Sequence, residues 1–238
     1  MIIEIVAILC AFIIKGMCGF ANTLIFGTVM SFTTNNINTT PVDLLVGYPS
    51  NAYIVWKERK GISMKVCIPI SILVVLGIIP GILFLKYGDT GFLKILFGGV
   101  VILCGIDMLL RERAASVKKQ SKLALTAIGI ISGIFCGLFG VGALLVAYIS
   151  RTTKDQLQFR SNICVVFLIE NTFRIILYAC MGIFSLAVWK ETLILLPFMF
   201  LGLSFGLYLS KKSGEKLVRR IVIILLILSG ISLIVKNL

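Results

Sequence analysis

The feature that most constrains this chain is its succession of long apolar runs joined by short polar stretches. They cover Ile2–Phe32, Pro41–Trp56, Ile62–Leu85, Phe92–Leu110, Leu123–Ile149, Leu157–Cys180, Ala187–Leu209 and Leu217–Val235. About 20 apolar residues are needed for a helix to cross about 30 Å of hydrocarbon. Hydrophobic residues make up 59% of the chain and charged residues 14%, and the mean hydropathy is +1.08. Soluble globular chains carry about 45–50% apolar and about 25% charged residues. The composition therefore excludes a disordered tail, a collagen, a coiled coil and a large extramembrane catalytic domain. It predicts an all-α polytopic membrane protein.

The formal charge is +13, from 23 Lys and Arg against 10 Asp and Glu. The basic residues fall in short joints between apolar runs, as in cytoplasmic loops, and not in a patch suited to nucleic acid. There is no histidine, which removes Ser–His–Asp triads and the usual histidine metal sites. The seven cysteines lie in apolar segments without a C-x-x-C spacing and read as small buried hydrophobes. No basic segment precedes the first apolar run, and Glu4 is acidic, so a cleaved signal peptide is not expected. No G-x-G-x-x-G or Walker pattern is present, so no cofactor is expected, and no nucleophile–base pair points to an enzyme.

Two of the apolar runs are interrupted in the same way. Gly16-Met17-Cys18-Gly19-Phe20-Ala21-Asn22-Thr23-Leu24 superposes on Gly137-Leu138-Phe139-Gly140-Val141-Gly142-Ala143-Leu144-Leu145 at an offset of 121. Ser50-Asn51 recurs as Ser161-Asn162 at an offset of 111. Gly77 and Gly81 recur as Gly202 and Gly206, and Gly105 as Gly230, at an offset of 125. Landmarks in one order with slowly drifting offsets indicate an internal duplication. The expected organisation is a first membrane repeat over 1–110, a basic linker over 111–122 and a second repeat over 123–238.

The duplication has a direction. With eight simple spans the basic residues divide evenly between the two faces. If each interrupted run is instead a hairpin of half-length helices, the joints 57–65, 111–122, 151–160 and 211–220 share one face. That face then carries 17 Lys and Arg against 4 on the other. Basic residues concentrate on the cytoplasmic side, so this reading puts those joints inside and both termini outside the cell membrane. Each half then crosses an odd number of times, which makes the repeats inverted. Each is expected to be a re-entrant helix pair followed by three spanning helices. The first hairpin is predicted to use arms Ile2–Ile14 and Phe20–Phe32.

Irregular backbone at membrane depth is tolerated only where protein or a water-filled cavity satisfies it. Glycine permits the sharp turn. The arm after each turn begins with free amides and the positive end of a helix dipole. Two such ends near the midplane would form a pocket for a small anion. Around it the sequence nominates Gly16, Gly19, Phe20 and Asn22 at the first break, and Gly137, Gly140 and Gly142 at the second. It adds Ser50, Asn51, Ser161 and Asn162 as neutral donors, with Asn171 and Arg174 from the sixth run. Two roles fit Arg174: a fork for an oxyanion or an i,i+4 partner of Glu170. Lys15 fits either a substrate cation or a snorkelling side chain. Glu170, the one carboxylate near mid-span, is the candidate for coupling an ion. Asp43, Asp107 and Asp155, near span ends, read as interfacial.

The glycine breaks at Gly16–Phe20 and Gly137–Gly142, together with Asn171-x-x-Arg174-x-x-x-Tyr178, resemble the TauE/SafE family of sulfite exporters and organosulfur-anion permeases. The resemblance covers nearly the whole chain. It implies a duplicated multi-helix fold and ion-coupled transport of a small sulfur- or carboxylate-bearing anion, with a proton or sodium ion as co-substrate. The family pattern often continues into further glycines, where this chain has Ala21-Asn22 and Ala143-Leu144, which implies a narrower pocket. The expected partners are the anion, the coupling ion and the lipid bilayer; the oligomeric state is left open. A passive anion channel and a non-transporting membrane scaffold are the competing readings.

Overall fold

The computed structural model describes residues 2–33, 39–87, 122–139, 142–153, 155–213 and 215–237, with isolated positions between 98 and 109. The apolar runs become helices. They are α1 (Ile2–Cys18), α2 (Asn22–Thr33), α3 (Thr39–Lys57), α4 (Met64–Tyr87), α5 (Lys122–Phe139), α6 (Ala143–Thr152), α7 (Gln156–Cys180), α8 (Leu186–Lys212) and α9 (Glu215–Asn237). A 3-10 turn, Arg59–Gly61, joins α3 to α4. Helices containing Met64–Gly81, Gln156–Cys180 and Leu186–Lys212 are long and apolar enough to cross a bilayer. The run expected at Phe92–Leu110 lies largely outside the described residues, as do the linker before Lys122 and Gly140.

Both interrupted runs are broken, but the first break falls later than expected. Gly16 does not turn the chain. α1 continues through Lys15 to Cys18, and the Gly19 amide still bonds the Lys15 carbonyl at 2.6 Å. Gly16 is instead a packing position: a Cβ there would lie 2.6 Å from the Leu203 carbonyl oxygen. The turn itself is made at Gly19 (φ 89°) and Ala21 (φ 78°), both left-handed. That conformation costs a residue with a Cβ about 1–2 kcal/mol, so Ala21 is strained where Gly19 is not. α1 is therefore about 25 Å long at 1.5 Å per residue, well beyond half a bilayer.

One face of the molecule is organised by Arg160, in the second turn of α7. Its guanidinium pairs with the Glu58 carboxylate, with Nε 2.7 Å from Oε2. It also donates to the carbonyls of Gly16 (2.9 Å) and Met17 (3.3 Å) and to the Ser210 hydroxyl (2.6 Å). Gln156 donates to the Met17 carbonyl as well. The last turns of α1 and α8 and the residue after α3 thus meet at the start of α7. α4 starts there too, its Ser63 amide donating to the Asn162 side chain at 2.7 Å. The sequence counted Arg160 among the free loop cations; it is 4% exposed and committed to these partners.

α1 and α8 run side by side in one direction, with Leu9 against Gly202 and Ile13 against Gly206. α4 and α5 do the same, with Ile130 against Gly77 and Ile134 against Gly81. In these pairs the backbone of one helix touches the glycine of the other, the close approach that small residues allow in membranes. α3 and α7 run in opposite directions, since Glu58 meets Arg160 and Tyr48 meets Thr172.

Removing one member of a buried ion pair strands the other and costs about 3–5 kcal/mol. Arg160→Gln is expected to lower the denaturation midpoint in detergent by that order. Glu58→Gln added to it should recover part of the loss. A midpoint unchanged in Arg160→Gln would show that the pair does not hold the helix ends together.

Candidate functional site

A cavity of about 30 Å³ lies where the two broken segments meet. From the first break it is lined by Lys15 and by Phe20–Leu24. From α3 it takes Asp43, Leu44 and Asn51. From the second break it takes Gly142, and from α7 Phe167, Glu170, Asn171 and Arg174. The N-termini of α2 and α6 both start at its wall. Each helix N-terminus carries about half an elementary positive charge.

The polar side chains around this space divide into satisfied and unsatisfied groups. Asp43 accepts from Asn22 Nδ2 at 2.9 Å and from Thr23 Oγ1 at 2.5 Å. Glu170 and Arg174 face each other one helical turn apart, 3.4 Å between Oε1 and Nη1, and Arg174 also reaches the Tyr178 hydroxyl at 3.3 Å. Arg174 Nε has no partner among the described residues. Asn51 is fully buried with neither its amide nitrogen nor its oxygen bonded. Lys15, 1% exposed, has the face of Phe12 beside its ammonium, 5.4 Å from the ring centre, and no ion-pair partner within 4 Å among the described residues. A buried polar group without a partner costs about 1–3 kcal/mol, more when charged. Lys15 and Asn51, two such groups, lie on one cavity wall.

The cavity brings together Phe20, Asn22, Asn51, Gly142, Asn171, Arg174 and Glu170 from the residues the sequence nominated. Others it places elsewhere. Gly16 packs on α8, and Gly19 sits against Arg160, whose Cγ would be 2.8 Å from an added Cβ. The Ser50 hydroxyl bonds back to the Gly47 carbonyl, and Ser161 bonds the carbonyls of Glu58 and Leu157. Asn162 holds the start of α4. Gly137 lies within α5, and Gly140 is outside the described residues. So the repeated Ser-Asn pair has two uses: Asn162 holds a helix start, whereas Asn51 at the matching position is left open to the cavity.

Two charged residues were undervalued by sequence. Lys15 does not snorkel; it points inward. Asp43 is not interfacial but 5% exposed on the cavity wall. Its position two residues past Pro41 resembled a span end, and no linear signal connects it to Asn22 and Thr23, twenty residues earlier. Asp155, by contrast, is exposed and caps α7 through the Gln158 amide. Among the described residues no group of three or more metal-ligating side chains forms.

The arrangement is a small polar cavity at two helix breaks, with no nucleophile–base pair among the residues that line it. A relative described as a probable sulfite/organosulfonate exporter TauE, from Cupriavidus necator, is 25% identical over 166 residues. That match covers 66% of this chain and 64% of the relative, just under two thirds of its length. No solved structure matches the chain. The family described as sulfite exporter TauE/SafE matches residues 4–233. With that match over nearly its whole length, and with helices long and apolar enough to cross a bilayer, the chain belongs to the TauE/SafE sulfite exporter family and is a multi-pass membrane protein.

Proposed function

We propose that the cavity is the substrate site of a secondary transporter for a small sulfur oxyanion, such as sulfite or a compact sulfonate, or for a related carboxylate. The observation that carries this reading is the pair of buried, unpartnered donors on its wall, the Lys15 ammonium and the Asn51 amide. The amide ends of α2 and α6 and the free Arg174 Nε add to the same positive spot. The printed name of the Cupriavidus relative agrees with this substrate class, and the cavity volume favours the smaller members of it.

Transport would proceed by alternating access of two inverted repeats, 1–110 and 123–238. Supporting this, the pair Gly206–Ile13 and the pair Gly81–Ile134 make equivalent contacts at the sequence offsets of 125 and 121. α1, α3 and α8 end at the Arg160 face, whereas their counterparts α5, α7 and α4 run away from it. In this scheme the Arg160 face is cytoplasmic, because the basic joints 57–65, 151–160 and 211–220 adjoin it. An ion, proton or sodium, moves with the anion and is received by a cavity carboxylate, for which Glu170 is the sequence's candidate. A passive channel would share the site but not the alternation of access to it.

Lys15→Met should weaken binding of sulfite at least tenfold, the scale of a lost charged hydrogen bond of about 1.5–3 kcal/mol. Unaltered affinity would take Lys15 out of the site. For sidedness, Lys60→Cys is expected to react with an impermeant thiol reagent only from the cytoplasm, and Met181→Cys only from outside, in a background without the native cysteines. Reaction of both from one side would dismiss the inverted scheme.

A further inference from the structure

Four ionisable side chains line the cavity: Lys15 from α1, Asp43 from α3, and Glu170 and Arg174 from α7. Their formal charges cancel while the site is empty. They are not paired alike. Glu170 has its counter-charge on its own helix, in Arg174 at 3.4 Å. Asp43 is held only by neutral donors, Asn22 Nδ2 and Thr23 Oγ1, and no Lys or Arg nitrogen among the described residues lies within ion-pair distance of it. The positive charge nearest in role is Lys15, across the cavity. Its Nζ and Asn22 Nδ2 both lie within 4 Å of the place a Cβ would take on Gly47, one helical turn after Asp43.

An anion seated against Lys15 and Asn51 takes up the cation that balances Asp43. The cavity then holds one net negative charge in a region of low dielectric, where an uncompensated charge is strongly unfavourable. One proton restores neutrality. Glu170 remains paired, so the carboxylate left without compensation is Asp43. The contact to Thr23 suits both states, because a hydroxyl donates to a carboxylate and accepts from a carboxylic acid, while Asn22 keeps donating to the other oxygen.

We propose that anion binding in this cavity is coupled to the uptake of one proton by Asp43, so that the loaded site is electroneutral and Asp43, not Glu170, is the coupling residue. The proton comes from water and becomes bonded to Asp43 Oδ2; no other bond forms or breaks. This rests on the reading of the cavity as an anion site.

The test uses the full-length protein in detergent and methanesulfonate, a monoanion that does not itself titrate near neutrality, so any proton taken up belongs to the protein. Calorimetry in buffers of different ionisation enthalpy counts that proton. The expected result near neutral pH is one proton per anion, with affinity falling tenfold per pH unit as pH rises, the slope that one linked proton imposes. Asp43→Asn should bind without proton uptake and with affinity flat in pH, and Asp43→Glu should restore both. Infrared difference spectra should show a protonated-carboxyl carbonyl band on binding, absent in Asp43→Asn. Zero proton uptake by the unaltered protein overturns the proposal whether or not the variants fold. One proton retained in Asp43→Asn overturns it too. No binding of methanesulfonate or of sulfite overturns the anion site itself and this proposal with it.

Discussion

A helix broken inside a membrane must find partners for the backbone groups it exposes, and in this protein the end of α1 finds them in side chains from the other half of the chain. At the end of α1, the carbonyls of Gly16 and Met17 are taken by Arg160 and Gln156 from the other half of the chain. Glu58 in turn balances Arg160. The negative end of the α1 dipole is thereby closed off by protein. The positive end of α2, three residues later, lies at the cavity wall. The end of the break that faces the cavity is thus the positive one.

This arrangement explains why glycines that look alike in sequence do different work. Gly19 supplies a left-handed turn and room for the Arg160 side chain. Gly16, Gly202 and Gly206 supply flat surfaces where α1 and α8 touch backbone to backbone, as Gly77 and Gly81 do for α4 and α5. The ion pair between Glu58 and Arg160 joins residues of the two halves at one face only. Rocking of one half on the other would have to part that pair, or pivot about it.

The described helices and the presence of a break in each interrupted run were legible because they depend on local composition, long apolar runs and glycine where the run must turn; the place of the first break was not, since Gly16 packs on α8 and the turn falls at Gly19 and Ala21. The pairing of Glu170 with Arg174 was legible for the same reason, four residues apart on one helix. The cavity's remaining charge was not. Lys15 sits one turn before a break in a helix whose true end, at Cys18, is set by packing of Gly16 on α8 and by Arg160, neither of which the linear sequence reveals. Asp43 depends on α2 folding back along α3, a tertiary event. Arg160 was misread because a basic residue at the start of a span looks the same whether it meets water or three helix ends.

Charge balance also bears on energetics across the whole bilayer. Moving one elementary charge across the membrane potential is worth about 2.3 kcal/mol per 100 mV. A bare monoanion leaving a cell that is negative inside gains that energy, and the same anion entering must overcome it. The proposed load, anion with proton, carries no net charge, so the potential neither assists nor opposes the loaded step, and direction is left to the gradients of anion and proton. The empty site is also balanced, through Lys15 against Asp43 and Arg174 against Glu170. A carrier neutral in both states can return unloaded as readily as it crosses loaded. The half-loaded state, with anion but no proton, is the one that the low dielectric around the cavity disfavours. That penalty on a single intermediate is sufficient to couple two fluxes, with no requirement for the anion and the proton to touch.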